Sequence, residues 1–79
     1  MIGMKLALAK ALQRRRQLQG MTQAQLAKRL GSSQSRVAKM EAADGSVSMD
    51  LLVRSLLTLG ATPRALAKSL SAKGSRRAA

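Results

Sequence analysis

Apolar residues recur at three- and four-residue spacing along most of this chain, and the runs are broken by glycines at 20, 31 and 60. That period belongs to helices with one buried face. Leu8, Ala11, Leu12 and Leu18 are read as one face of a first helix from about Lys5 to Gln19, which Gly20 stops. Thr22 and Gln25 have the spacing of a capping box, and a second helix follows to Leu30 with Leu26, Ala27 and Leu30 inward. After Gly31, Ser33 can cap a third helix that runs to about Ala43 and turns Val37 and Met40 inward. Asp44-Gly45 is a turn signal. Ser48 caps a fourth helix, with Asp50 in its positive first turn and Val47 and Leu52 at the two positions of a hydrophobic staple. Leu52, Leu56 and Leu59 form its stripe, Leu51 and Val53 widen it, and Gly60 closes it. Thr62-Pro63 opens a fifth helix to about Leu70.

The expected architecture is therefore all-α, a compact five-helix bundle. One domain spans residues 1–72, and a basic tail, 73–79, is expected to be disordered. Composition agrees. With no aromatic residue in 79, the core must come from leucines, alanines and five methionines. Abundant leucine and few β-branched residues favour helix over strand. A chain this short folds with little margin.

The absence of cysteine and histidine removes disulfides, zinc fingers and haem ligation from consideration, so no metal site and no cofactor are expected. The only acids are Glu41, Asp44 and Asp50, and no nucleophile–base pair of a usual kind is present. An enzyme is not expected.

The net charge is +12, and it is unevenly placed. Basic residues without acids occupy 1–30 and 61–79, while the centre is neutral. So basic a domain points to a polyanion, with nucleic acid the first candidate. No segment approaches the roughly 20 apolar residues needed to span a membrane. Lys5 and Lys10 interrupt the apolar N-terminus, which therefore does not read as a signal peptide, and the expected location is the cytoplasm.

The segment Thr22 to Glu41, TQAQLAKRLGSSQSRVAKME, carries most of the functional information. Ala27 is small where two helices would approach, Gly31 accepts a left-handed turn, and Val37 plugs the wedge between them with Leu26, Leu30 and Met40. This is the build of a helix-turn-helix, whose second helix lies in the DNA major groove. Helical spacing puts Gln34, Ser35, Ala38, Lys39 and Ala42 on the outer face, with Arg36 at its flank. Glutamine suits adenine N6 and N7, lysine and arginine suit guanine O6 and N7 or a phosphate, and serine suits either. The same residues would also serve as an ordinary solvated face, and Ser33 is a helix cap on both readings. Arg14, Arg15 and Arg16 diverge by about 100° per residue, so they cannot all face DNA.

These residues, with the Arg-rich first helix and SVSMDLLVRSLLTLGA after them, resemble the Cro/C1-type (XRE) helix-turn-helix family of phage repressors and bacterial regulators. The resemblance covers about residues 5 to 70. It implies a lambda-repressor-like, five-helix DNA-binding domain. It further implies a phosphate contact from Gln23, base contacts from Gln34, Ser35 and Lys39 with Arg36 alongside, and an ion pair from Arg16 to Glu41. Exposed, such a pair would be worth only about 0–1 kcal/mol.

The function so implied is a sequence-specific transcriptional regulator, a repressor that binds double-stranded operator DNA as a homodimer. Leu57, Leu66, Ala67 and Leu70 could form the dimer surface, or could simply close the monomer core. The alternative is an antitoxin that binds a toxin protein and represses its own operon. A cationic, membrane-active chain is a third reading, and the caps and glycine stops argue against it.

Overall fold

The computed structural model describes residues 2–64. Four helices lie within them: α1 (Ile2–Leu18), α2 (Gln23–Leu30), α3 (Gln34–Glu41) and α4 (Met49–Thr58), with no strand among the described residues. The all-helical expectation holds among the described residues, and four of the five expected helices lie within them. Pro63 and Arg64 are helical where the description ends. The rest of the expected fifth helix, the tail, and Leu66, Ala67 and Leu70 lie outside the described residues.

The caps follow the sequence closely. The Gln25 backbone N–H donates to Thr22 Oγ1 at 3.1 Å, and the Thr22 N–H donates to Gln25 Oε1 at 2.8 Å, which completes the capping box. Ser33 accepts from the Arg36 N–H and Ser48 from the Leu51 N–H, each at 3.1 Å. Each cap satisfies a donor that the first turn of a helix leaves orphaned.

All four helices end alike. The residue in the left-handed region donates its N–H three residues back, and the next residue donates five back; for α2 these bonds are Gly31 to Lys28 O, 3.2 Å, and Ser32 to Ala27 O, 2.8 Å. Gly31 has φ +67°, and a Cβ there would meet nothing within 4 Å, so backbone conformation and not space demands the glycine. Gly20 and Gly60 close α1 and α4 in the same manner. At α3 the position falls to Ala43, with φ +55°, and the helix proper stops at Glu41.

The core joins Leu8, Ala9 and Leu12 of α1 to Leu26 and Ala27 of α2, Val37 and Met40 of α3, and Leu52 and Leu56 of α4. Val47, Leu59 and Ala61 seal it from the connections. Each fully buried leucine contributes about 1.5–3 kcal/mol, and no aromatic ring supplements them. Ser55 is buried within α4 and satisfied by donating to Leu51 O at 2.8 Å.

Two details of α1 differ from expectation. It begins at Ile2 rather than Lys5, since no cap or proline stands in between. Leu18, read as inward, is 76% exposed. Ten residues beyond Leu8, at about 100° per residue, it lies some 80° round the helix on the side away from Leu12. The residue that continues the Leu8–Leu12 row is Arg16. Met4 is also exposed, so not every methionine fills the core.

Candidate nucleic-acid interface

Helices α2 and α3 pack directly on each other, and α1 braces α3 from behind. Ala27 and Val37 are buried between them, and the bonds at Gly31 and Ser32 hold the turn. With Val37, Met40 and Glu41 facing inward, α3 leaves Gln34, Ser35, Arg36, Ala38 and Lys39 exposed, and Ala42 follows at its end. The exposed face has no acidic side chain. Ser33, Ser35, Arg36 and Lys39 line one shallow groove of about 270 Å³ with Ser46 and Val47 from the α3–α4 connection. Gln34 stands outside that groove at the start of α3, and Gln23 opens α2.

Behind this face lies a three-residue polar network. Arg16 donates from Nε to Glu41 Oε2 at 2.5 Å and from Nη2 to Glu41 Oε1 at 3.0 Å. Its Nη1 donates to Met21 O, 2.8 Å, in the α1–α2 connection. The two side chains are only 11% and 3% exposed. The pairing implied by the resemblance is therefore present, but the valuation as an exposed pair is corrected: α1 and α3 enclose it. The hydrogen bond and charge of Glu41 raise the Arg16 pKa above its ordinary value, against an opposing effect of burial. Gln23 completes the network, donating from Nε2 to Glu41 Oε1 at 3.1 Å. The family resemblance implies only a phosphate contact for Gln23 and does not reveal this bond.

The α3–α4 connection holds a second polar cluster that sequence reasoning missed. Asp44 Oδ2 accepts from the Ser46 N–H at 2.9 Å and from its hydroxyl at 2.5 Å. These two bonds, helped by the positive charges of Lys39 and Lys5, hold the Asp44 carboxyl below the usual carboxylate range. Lys5 Nζ donates to Asp44 O at 2.7 Å and so ties the start of α1 to this connection. The Asp-Gly-Ser run signals a turn locally, but its tie to Lys5, 39 residues away, has no local signal.

This arrangement, two short helices crossing at a glycine turn with a basic, acid-free outer face on the second, can be compared with known families. The helix-turn-helix family model matches residues 7–66, most of the chain and all four helices' core positions. The chain belongs to the Cro/C1-type helix-turn-helix family. No curated protein and no solved structure matches it. Cro/C1-type helix-turn-helix proteins are DNA-binding transcription regulators and generally not enzymes. Within the helix-turn-helix, α2 is the first helix and α3 the second. No helix among the described residues is long and apolar enough to cross a membrane.

Proposed function

We propose that this chain is a sequence-specific repressor that binds operator DNA as a homodimer, with α3 in the major groove. The carrying observation is the two-sided character of α3. Its inner side is fixed by buried Val37, Met40 and Glu41, while Gln34, Ser35, Arg36 and Lys39 stand free on the outer side. A rigidly seated helix with polar, basic side chains outward suits the reading of base edges.

In this reading Gln34, Ser35 and Lys39 contact bases, and Arg36 contacts a base or a phosphate. Gln23 contacts a phosphate from the start of α2. Ser33 caps α3, with any phosphate contact secondary to that. Arg14, Lys28 and Arg29 are exposed and add long-range attraction to the duplex. One such unit offers few base contacts, so high specificity favours two, spaced about 34–36 Å on a near-palindrome. Leu57, 46% exposed on α4, is an apolar residue at the described end of the proposed dimer surface.

Selection of bound sequences from a random duplex library tests the whole reading. The expected result is a motif of two inverted half-sites about 10–10.5 base pairs apart, bound by two chains. Recovery of unrelated sequences, each bound no tighter than random DNA, would sink it. A single half-site bound by one chain would sink the dimer alone.

A further inference from the structure

Glu41 accepts hydrogen bonds from two different helices. Arg16 of α1 donates to both its oxygens, and Gln23 of α2 donates to Oε1 at 3.1 Å. With the Glu41 side chain 3% exposed, water scarcely competes for these bonds. A carboxylate offers about four acceptor positions, so the third bond is compatible with the first two. Gln23 is the first residue of α2, half-buried, at the helix end where backbone N–H groups face outward. Its amide nitrogen has two N–H donors. One is held by Glu41, and the second remains for an incoming acceptor.

We propose that Glu41 is a positioning residue for DNA binding: it fixes the Gln23 amide before DNA arrives, so that a phosphate contact of α2 is set from within the core. This rests on the reading of Gln23 as a phosphate ligand. A free glutamine side chain must be immobilised when it binds, and a tethered one has already lost that freedom. Arg16 has a separate part. An unpaired carboxylate behind the interface would repel a phosphate, and the paired guanidinium cancels that charge. An acid thus lies directly beneath a DNA-binding surface without opposing it.

The test compares two neutral replacements of the ion pair. Arg16→Met with Glu41→Gln keeps an acceptor for Gln23; Arg16→Met with Glu41→Met removes it. Thermal melting by circular dichroism checks that both fold. The variant with the acceptor is expected to bind duplex DNA threefold to tenfold more tightly, and the gap is expected to close when Gln23→Ala is added to both. Equal affinities, or a gap that survives Gln23→Ala, overturns the proposal. Should either variant fail to fold, nuclear relaxation of the unmodified protein supplies the measurement. The Gln23 side-chain amide is expected to be more ordered than that of exposed Gln13, and equal mobility overturns the tether. Absence of DNA binding by the unmodified chain overturns the phosphate reading and this use of the tether, while the ordered amide would still show that the tether itself exists.

Discussion

Arg16 and Glu41, 25 residues apart in sequence, are joined by two hydrogen bonds where α1 meets α3. Both side chains are almost excluded from water. Taking two charges out of water is costly, and their attraction offsets it only while both are present. Glu41→Ala strands a buried guanidinium and is expected to cost about 3–5 kcal/mol. A domain of this size has a total stability on the order of 5–10 kcal/mol, so the variant should be barely folded near body temperature. Urea denaturation checks this, and a loss under 1 kcal/mol would mean that the pair is effectively solvated. The raised pKa places any pH dependence from Arg16 at the alkaline extreme. Its contribution is complete below the unfolded arginine value and is lost only as pH rises past the higher folded value.

Ala43 occupies the left-handed position that glycine fills at the ends of α1, α2 and α4. A Cβ in that conformation costs roughly 1–2 kcal/mol, and glycine returns part of the gain through the greater freedom of the unfolded chain. Ala43→Gly is expected to stabilise the protein by about 0.5–1 kcal/mol. The urea midpoint should rise with no change in slope, and a lower midpoint would contradict the assignment.

The helices and their caps were legible in the sequence because they are local. Thr22, Ser33 and Ser48 each lie three residues from the N–H they cap, and each left-handed glycine lies one or two residues past its helix. The outer face of α3 was legible because Val37 and Met40 fix which side is buried. Leu18 is apolar yet lies off the buried row, so its hydrophobic character points inward where its helical angle does not. The row Leu8–Leu12 leads to Arg16, and burying an arginine there makes sense only with Glu41 in view. The Gln23–Glu41 and Lys5–Asp44 bonds were not legible at all. Each joins residues far apart in sequence whose types have many other uses.

Asp44 gives the fold an acid-sensitive element. Its two bonds from Ser46 favour the ionised form, so its folded pKa lies below the unfolded value of about 3.9. The resulting stability is present above that value and is lost as pH falls through the lower folded pKa. Asp44→Asn is therefore expected to lower the melting temperature slightly and by a constant amount from pH 5 to 8. The difference should shrink toward zero below pH 3. A difference that grows on acidification would reverse the sign and contradict the Ser46 contacts.

Gln34 and Gln23 are the same residue type at the same position of neighbouring helices, and the proposed function gives them opposite signatures. Gln34 begins the recognition helix, exposed, where a bidentate pair with adenine is worth about 1–3 kcal/mol of discrimination. Gln34→Ala should lose that much at the cognate site, lose little on random DNA, and relax base choice at one position. Gln23 is half-buried at the start of α2 and tethered to Glu41. Gln23→Ala should weaken cognate and random DNA by the same factor and leave base preference intact. Neither side chain is charged, so neither substitution should change the slope of log affinity against log salt, whereas removing a phosphate-neutralising lysine lowers that slope by about 0.9. Competition binding at two salt concentrations separates these cases. Equal losses on both DNAs for Gln34→Ala would remove α3's N-terminal end from base readout, and a cognate-specific loss for Gln23→Ala would move the reading of bases onto α2.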